Sequence, residues 1–418
     1  MQRRIKRWTA GGALAVAAAL ALSACGSGFG GSSSSSTNGA LTHDKSAGLT
    51  VMIGSSGPAE TASVTKEVAA WSKSSGIKAK VIAANNLDQQ LAQGFAAKKP
   101  ADVFYLATSA LAGYASNGSL LAYGNQISNK SDFYPTLRSS FTYKGQLYCA
   151  PKDVSTLQLV INTDMWKAAG LTSADYPTTW NQLESVSKKL TTAGHVGLTM
   201  SPQYERLGAF MVEAGGNLMN ATSTKATADS AANVKALDYA KTLLNDGVMK
   251  FSSDLGTGWG GEAFGKGLAA MTIEGNWITG SMSSDYPNVK YTVVPLPAGP
   301  AGKGTLQFSN CWGIAKDSPD QQGAIDLVKQ LTSTNDQLAF SKAFGVIPSI
   351  QSAAAQWKKE NPNLIPFING IAYAQGVPTA KGSADVVSNL DSQLSSLKTA
   401  DPKTLLDQTQ QNLTALQK

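Results

Sequence analysis

The stretch GTGWGGEAFGKGLAAMTIEGNW, residues 256–277, contains residue types that could bind a phosphate group or a sugar. From Gly260 it reads G-x-x-x-x-G-K, which lacks one residue of the loop that cradles phosphates in nucleotide enzymes. That loop needs Ser or Thr after the lysine and a helix whose first turn faces the phosphates. Here Gly267 follows Lys266, and the next residues, LAAMTI, have the pattern of a strand. The sequence therefore argues against a nucleotide site.

Aromatic and polar residues occur together at several predicted loops, a combination that suits a sugar. A pyranose ring has apolar C–H faces that pack on aromatic rings, and its hydroxyl groups need fixed polar partners. We therefore predict that a carbohydrate site draws on the following residues: Glu60, Asp153, Ser155, Tyr204, Glu205, Arg206, Trp259, Glu274, Trp277, Asn310 and Trp312.

Several of these residues have a purely structural alternative. Trp277 after a strand could be a core residue, and Asp153 could be a cap or half of a salt bridge. Glu60, at the start of a helix, could simply favour the helix dipole. Glu205 and Arg206 could pair with each other at the surface. Four further tryptophans lie in helical patterns and are predicted to pack in the core: Trp71, Trp166, Trp180 and Trp357.

No catalytic residue, metal site or cofactor is predicted. The sequence contains neither G-x-S-x-G nor H-E-x-x-H, and its two histidines, His43 and His195, are too few for a histidine metal site. Carboxylates are plentiful, but no pair among them stands out as the acid and nucleophile of a glycosidase. An exported carbohydrate-active enzyme stays open as the least favoured alternative.

The first 24 residues predict a secretory signal peptide. Four basic residues within the first seven precede the apolar run TAGGALAVAAALALSAC. A basic start, a short apolar run and small residues before a cleavage site are typical of such a signal, and the run is too short for a comfortable membrane span of about 20 residues. The ending LSAC resembles a bacterial lipobox, which would make Cys25 a lipidated membrane anchor. The alternative is an ordinary signal with an incidental cysteine.

Residues 25–45 are predicted to form a flexible tether. The segment GSGFGGSSSSSTNG cannot bury enough apolar surface to fold. A tether directly after an anchor would let a folded domain stand off the outer face of the cell membrane. No second long apolar segment follows in the sequence, so the rest of the chain is expected to be soluble and extracytoplasmic.

Charge and length bound the partners and the architecture. The chain carries a formal charge of +7, and the signal peptide accounts for four positive and no negative charges, which leaves +3. No basic stripe with interleaved aromatics appears, so a nucleic-acid partner is not predicted. About 370 residues after the tether exceed one comfortable core, and two lobes are therefore expected.

The hydrophobic pattern after the tether alternates between strands and helices. LTVMIG, IKAKVIAA and ADVFYLA are predicted strands separated by two helical segments, the first with Val64, Val68 and Trp71 on one face. Such a β-α-β-α-β order predicts parallel strands with helices on the sheet faces. The alternation continues, and the chain from Pro319 onward is predicted to be mainly helical.

Several segments of the chain together resemble those of a known protein family. In chain order they are ADVFYLATSALAGYASNGSLLAY, GQLYCAPKDVSTLQLVINTDMWKAAGL, EAFGKGLAAMTIEGNW and PLPAGPAGKGT with NCWGIAKDSP. From Leu49 to the C-terminus the chain resembles the extracellular solute-binding proteins of ATP-driven importers, in the family that binds sugars and includes the maltose-binding protein. The resemblance implies an α/β fold of two lobes, each a mostly parallel sheet flanked by helices. Crossover strands would join the lobes, which would close on a ligand in the cleft between them.

The resemblance also implies lobe boundaries and a cysteine pairing. Cys149 and Cys311 would each lie beside a crossover, which favours a disulfide over the alternative of two buried free thiols. The bond would close a loop of about 160 residues and stabilise the fold by roughly 4–5 kcal/mol in the chain-entropy model. The implied lobes are 46–153 with 312–347 and 154–311 with 348–418, and the implied crossovers are Lys152–Val154 and Asn310–Gly313.

In the family, the tryptophan that closes the EGNW segment stacks on the sugar, which implies that role for Trp277. Tyr204 matches a sugar-contacting tyrosine before a helix. The chain departs from the maltose-binding members at two places. Thr108 and Ser109 stand where those members carry an acidic–basic pair, and Ser155 stands where they carry an acidic residue. Ser109 and Ser155 are kept in the predicted site, and the identity of the sugar is left open.

The resemblance finally implies a function. The protein would be the membrane-anchored, monomeric binding component of a carbohydrate importer and would perform no chemistry. Its partners would be a carbohydrate ligand, two membrane-spanning permease subunits and an ATPase on the cytoplasmic side. The main alternative is a protein of the same fold that binds a non-sugar solute, such as a polyol phosphate, an oligopeptide or a metal chelate.

Overall fold

The computed structural model describes residues 40–417. The predicted signal peptide, the predicted lipidation site at Cys25 and most of the predicted tether lie outside the described residues. Between residues 40 and 417, no helix is long and apolar enough to cross a membrane.

Strands and helices alternate along the described chain. The strands are β1 (Leu49–Ile53), β2 (Ala79–Ala83), β3 (Val103–Ala107), β4 (Thr142–Tyr143), β5 (Gln146–Leu147), β6 (Ala150–Pro151), β7 (Ser155–Thr156), β8 (Gln158–Asn162), β9 (Val196–Met200), β10 (Met249–Phe251), β11 (Ala269–Glu274), β12 (Tyr291–Val294), β13 (Thr305–Phe308), β14 (Asn310–Ile314) and β15 (Ala374–Gly376). The α-helices are α1 (Pro58–Ser75), α2 (Leu87–Ala96), α3 (Thr108–Ser116), α4 (Pro135–Ser140), α5 (Thr163–Ala168), α6 (Trp180–Leu190), α7 (Tyr204–Glu213), α8 (Ala231–Asn245), α9 (Gly260–Gly265), α10 (Ile278–Ser284), α11 (Gln321–Leu331), α12 (Thr334–Phe344), α13 (Ala354–Glu360), α14 (Ile365–Gly370), α15 (Ser383–Leu394) and α16 (Pro402–Ala415).

Two five-stranded sheets share one pattern of strand directions. The first has the order β2-β1-β3-β14-β6 and the second the order β10-β9-β11-β8-β12. In each sheet the first three strands are parallel, and the fourth is antiparallel to both of its neighbours. Four of the five strands in each sheet therefore run the same way. The predicted α/β fold with mostly parallel sheets is confirmed, with one reversed strand in each sheet.

The reversed strand β14 follows directly from a crossover between the sheets. β13 belongs to a small three-stranded sheet with β15 and β7, and Ser309 alone separates it from β14. The crossovers β6–β7 and β13–β14 run side by side, because Lys152 N donates to Asn310 O at 2.8 Å and β13 pairs antiparallel with β7. A third segment adds to them, since Val154 N donates to Ile347 O at 3.0 Å.

Each large sheet has its own hydrophobic core. The first core packs residues of α1 and α11, such as Trp71 and Ile325, against Val51 and Val103. The second contains residues of β8, β9 and β11 together with residues of α7, α8, α15 and α16. As predicted, Val64, Val68 and Trp71 lie on the buried face of α1, and that helix ends at Gly76 in the left-handed conformation.

The structure joins Cys149 and Cys311 in a disulfide, with their Cα atoms 5.5 Å apart. Cys311 lies on β14, and Cys149 lies just before β6, the strand that pairs with β14. Both cysteines are fully buried in a cluster with Phe104 and Phe141. The bond therefore fastens the edge strand of the first sheet beside the two crossovers.

The end of the predicted tether is docked onto the folded part. Thr42 Oγ1 donates to Ser318 O at 2.8 Å, and Asp44 N donates to Pro319 O at 3.2 Å. His43 Nδ1 lies 2.8 Å from Asp320 Oδ1, at the start of α11. Residues 42–44 are thus held by hydrogen bonds, although the tether was predicted to extend to residue 45.

Candidate functional site

A cavity of about 1250 Å³ lies where loops of the two large sheets meet. From the first sheet it is lined by residues within 54–60 after β1 and 107–109 after β3. From the second it is lined by residues within 276–285 after β11, and the crossovers contribute 152–155 and 308–310. Ligands of α/β proteins bind at the carboxyl ends of strands, which is where these loops lie.

Trp277 presents its ring to this cavity. The side chain is 38% exposed, and within the described residues only Leu416 is a comparably exposed large hydrophobic side chain. The indole Nε1 donates to Glu274 Oε2 at 3.0 Å, and the ring makes a T-shaped contact with Phe308, with centroids 5.5 Å apart. An exposed aromatic ring in a concave site is the feature that a sugar face requires.

Glu274 and Arg206 lie behind Trp277 rather than in the cavity wall. Glu274 is fully buried, and its Oε2 accepts from Arg206 Nε at 3.0 Å and lies 2.8 Å from Arg206 Nη2. Burial raises the pKa of Glu274, although the Arg206 charge opposes the shift. The guanidinium carbon lies 5.1 Å from the centroid of the Trp277 ring. Arg206 thus forms its ion pair with Glu274, and it reaches its neighbour Glu205 through that residue's backbone oxygen, to which Nη1 donates at 3.3 Å.

Trp259 is the second tryptophan in the cavity wall, at the N-terminus of α9. Its ring lies against Gly261, where a Cβ atom would be 2.1 Å from the indole. Lys266, the lysine of the phosphate-like motif, forms an ion pair with Glu262 one turn earlier in the sequence. Gly261 makes room for the Trp259 ring and Gly265 for the Tyr286 ring, and Lys266 pairs with a carboxylate at the surface.

Glu60, Lys152 and Asp153 form a charged cluster at the base of the cavity. Lys152 contacts Asp153 and lies 3.1 Å from Glu60 Oε1, which also accepts from Tyr105 at 3.0 Å. Glu60 Oε2 accepts from both the backbone N and the Oγ of Ser56 at 2.7 Å. Every oxygen of the Glu60 carboxylate is therefore engaged inside the protein.

Opposing effects set the protonation of this cluster. Burial by itself would raise the pKa of Glu60, but the Lys152 charge and the Ser56 hydrogen bonds outweigh it and lower that pKa. Burial would lower the pKa of Lys152, and the two carboxylates outweigh it and raise that pKa. The pKa of Asp153 is raised because its burial exceeds the effect of Lys152. Asp153 also lines the cavity beside Ser155 and can offer oxygen atoms to a ligand.

A pair of carboxyl groups, Glu205 and Asp391, occupies one side of the cavity. Asp391 Oδ1 accepts from the backbone N of Tyr204 at 2.7 Å. Burial, followed by the nearby Glu205 charge, raises the pKa of Asp391 to about 7. The sequence offered no signal for Asp391, because it lies within the ordinary helical pattern of α15.

The structure brings most of the predicted residues together and leaves four outside the cavity wall. The predicted residues that line it are Glu60, Ser109, Asp153, Ser155, Glu205, Trp259, Trp277 and Asn310. Glu274 and Arg206 lie behind it, as described above. Tyr204 and Trp312 are fully buried and do not reach it.

Helix phase and strand pairing explain the two buried rings. Tyr204 begins α7 with its ring turned inward, where its hydroxyl donates to Asn217 and its edge lies against Gly208. Trp312 lies on β14 opposite Tyr105, and the two rings pack 4.8 Å apart inside the first sheet's core. The expectation that these two rings contact a ligand is therefore corrected: both belong to the cores.

Some lining residues escaped the sequence analysis. Phe308 at the end of β13 and Phe344 at the end of α12 contribute apolar surface, and Ser388 joins Asp391 on α15. Single aromatic or serine residues of this kind have no local motif. Among the described residues, no group of three potential metal-ligating side chains is present.

Comparison with known proteins gives the family context. A family model described as bacterial extracellular solute-binding protein matches residues 66–366. The diacetylchitobiose binding protein DasA of Streptomyces coelicolor is 25% identical to this chain over 347 residues, which cover 80% of this chain and 78% of that protein.

Solved structures share the fold at low sequence identity. The cyclic alpha-maltosyl-1,6-maltose binding protein from Arthrobacter globiformis is 20% identical with a TM-score of 0.77, covering 88% of this chain and 98% of that chain. UgpB from Mycobacterium tuberculosis, solved with glycerophosphocholine, is 17% identical with a TM-score of 0.75 and the same coverage. These likenesses show the two-lobed α/β fold. Since the family model matches more than half of the chain, the protein belongs to the bacterial extracellular solute-binding protein family.

Proposed function

We propose that this protein is the substrate-binding component of an ABC importer and that it captures a carbohydrate in the cavity between its two sheets. The observation that carries the proposal is the Trp277 ring, which is 38% exposed at the wall of a cavity of about 1250 Å³. Ligand pockets are concave and lined by aromatic and apolar side chains with a few polar groups, and the surroundings of Trp277 match that description.

The surroundings of Trp277 suit a sugar better than an anion. Asp153, Asn310, Ser155 and Ser109 can bond hydroxyl groups, and the Trp259 ring supplies a second apolar surface. Carboxylates predominate among the charged lining residues, and the ammonium of Lys152 is engaged by Glu60 and Asp153. A phosphorylated solute would meet repulsion there. The relative DasA is named for diacetylchitobiose, which fits the same class of ligand.

The proposed role includes no catalysis. Glycosidases place two carboxyl groups on opposite sides of the scissile bond, separated by roughly 5–9 Å. Glu205 and Asp391 lie next to each other on one side of the cavity, and Glu60 is saturated by internal hydrogen bonds. Release of reducing ends from a glycan would contradict this part of the proposal.

We extend the proposal to the cell surface. Residues 1–24 would be a signal peptide and Cys25 a lipidated anchor, so that the monomeric protein stays on the outer face of the membrane. Its further partners would be two permease subunits and their cytoplasmic ATPase. Metabolic labelling with a fatty acid should mark the wild-type chain and not Cys25→Ala. Equal labelling of both chains would refute the anchor.

A thermal-shift screen tests the carbohydrate role. The purified protein is heated with mono- and oligosaccharides, and with glycerophosphodiesters and oligopeptides for comparison. A bound sugar at 100 times its Kd should add about 2.7 kcal/mol to the free energy of unfolding and raise the midpoint temperature. If no sugar raises the midpoint, the proposal fails; stabilisation by a peptide or phosphodiester alone would favour the non-sugar alternative.

A further inference from the structure

The Trp277 ring is held by more hydrogen bonds and contacts than a partly exposed ring usually has. Its indole N–H is bonded to a carboxylate that is itself fully buried, Glu274. The same oxygen, Glu274 Oε2, receives two contacts from Arg206, at 3.0 Å from Nε and 2.8 Å from Nη2. Three donors thus converge on one carboxylate oxygen behind the ring.

The Arg206–Glu274 ion pair contacts the Trp277 ring and does not line the cavity. Glu274 is fully buried and Arg206 has a side chain that is 11% exposed, and neither lines the cavity. The Arg206 guanidinium lies 5.1 Å from the Trp277 centroid, which is within the range of a cation–π contact. Phe308 makes a T-shaped contact with the ring, and Gly275 leaves the space that the ring needs.

Energetics favour a positioning role. A buried carboxyl group without a partner is strongly unfavourable, and Arg206 supplies two donor nitrogens to Glu274 beneath the indole. A guanidinium donor forms stronger hydrogen bonds than a neutral donor and so holds Glu274, and with it the bonded indole N–H, in place. Holding a ligand-binding group in its bound orientation raises affinity because less ordering is required on binding.

We propose that Arg206 and Glu274 are positioning residues that lock the Trp277 ring in its solute-stacking orientation before any solute arrives. This inference rests on the proposed function for its consequence, while the orientation of the ring is a property of the free protein. The ring thereby offers one face to the cavity, since the guanidinium lies over it on the other side.

Fluorine NMR of protein labelled with 5-fluorotryptophan tests the lock without a solute. The Trp277 resonance is assigned by its loss in Trp277→Phe. It should be narrow in the wild type, shifted and broadened in Arg206→Met and Glu274→Leu, and intermediate in Arg206→Lys, which keeps the charge and loses the paired donors. Lys188→Met, which removes an exposed ion pair elsewhere, should leave the resonance unchanged.

Affinity completes the test. With the sugar found by the screen, Arg206→Met should weaken binding by about tenfold or more, and Arg206→Lys should recover part of the loss. A folded Arg206→Met variant with an unchanged Trp277 resonance overturns the lock. A moved resonance with unchanged affinity overturns its role in binding. If Arg206→Met fails to fold, the same two criteria apply to Arg206→Lys. If no sugar binds even the wild type, the proposed function fails, and the resonance still decides the lock.

Discussion

Residues 256–277 contain two glycines, Gly261 and Gly275, that lie directly against the tryptophans of the cavity wall. A Cβ atom at Gly261 would lie 2.1 Å from the Trp259 ring, and one at Gly275 would lie 2.3 Å from the Trp277 ring. Both separations are far below van der Waals contact. Gly261 and Gly275 therefore make room for the two tryptophans of the cavity wall, and the motif glycine Gly265 makes room for Tyr286.

Replacing Gly275 tests this assignment. In Gly275→Ala the new methyl group should displace the Trp277 ring, reduce the affinity for the sugar by about tenfold, and cost about 1–3 kcal/mol of stability as overpacking does. Gly113→Ala is the matched control, because a Cβ there meets nothing within 4 Å. Titration calorimetry measures the affinity of both variants for the sugar. Equal affinities would show that the Trp277 ring is not where the structure places it.

Asp391 should make stability depend on pH. Its pKa is raised from 3.8 in the unfolded chain to about 7 in the folded protein, because of burial and then Glu205. The folded state thus binds this proton more tightly, so the stabilising contribution is complete below about pH 4 and is lost as the pH rises through 7.

Asp391→Asn should therefore flatten the dependence of the melting temperature on pH between about 4 and 8. The variant should be more stable than the wild type near pH 8, where the wild type holds Asp391 ionised in a partly buried site beside Glu205. Calorimetry across this range checks the expectation against Asp385→Asn, an exposed carboxylate on the same helix. A parallel pH curve for Asp391→Asn and wild type would contradict it.

The residue types indicated which segments lie at the cavity better than they indicated which side chains point into it. Trp277 and Trp259 follow glycine-rich turns, and both line the cavity. The local sequence around Tyr204 favoured a ligand contact equally well, but its ring turns inward at the start of α7. The rotation of α7 about its axis decides between the two outcomes, and the burial of Tyr204 in the second core with its hydroxyl bonded to Asn217 fixes that rotation.

At the scale of elements, the disulfide fastens the strand next to the crossovers. It closes a loop with a sequence separation of 162 residues. In the double variant Cys149→Ser/Cys311→Ser, the free energy of unfolding should fall by about 2–5 kcal/mol, as for other native disulfides. Urea unfolding measures the loss, and a reducing agent should lower the wild type to the same value while leaving the variant unchanged. Identical midpoints for variant and oxidised wild type would contradict a structural bond.

The alternation of strands and helices was predictable, and the reversal of β14 and β8 was not. Hydrophobic periodicity gave the segments around Val51, Val81 and Val103 as strands, and the structure pairs them in parallel. β14 is reversed because the chain enters the first sheet from the small sheet through Ser309. The crossover depends on residues that are far apart in the sequence, so local hydrophobic periodicity does not indicate it.

At the scale of the whole molecule, the two cores support a division into lobes. We propose the boundaries 46–153 with 312–347 and 154–311 with 348–418. The first core draws on residues 49–150 and 312–340, and the second on residues 157–306 and 386–413. Ile350 and Ala353 also pack in the first core, a few residues beyond the proposed boundary at 347. Side-by-side crossovers at Lys152 and Asn310 leave few covalent connections between the cores, which suits hinge closure.

Closure should be visible in solution. A sugar that contacts Asp153 and Trp277 together binds the closed form better than the open form and shifts the population toward it. Small-angle X-ray scattering should show a smaller radius of gyration with saturating sugar than without. A sugar that binds in calorimetry without changing the scattering curve would mean that the cavity is already closed.

The central claim, that a carbohydrate binds in this cavity against Trp277, is tested most directly by calorimetric titration of the wild type and Trp277→Ala with the sugar that the screen identifies. Trp277→Ala should weaken binding by at least about thirtyfold, equivalent to about 2 kcal/mol, and Trp277→Phe should retain most of the affinity because it keeps an aromatic face. A folded Trp277→Ala variant that binds the sugar as tightly as the wild type would contradict the claim.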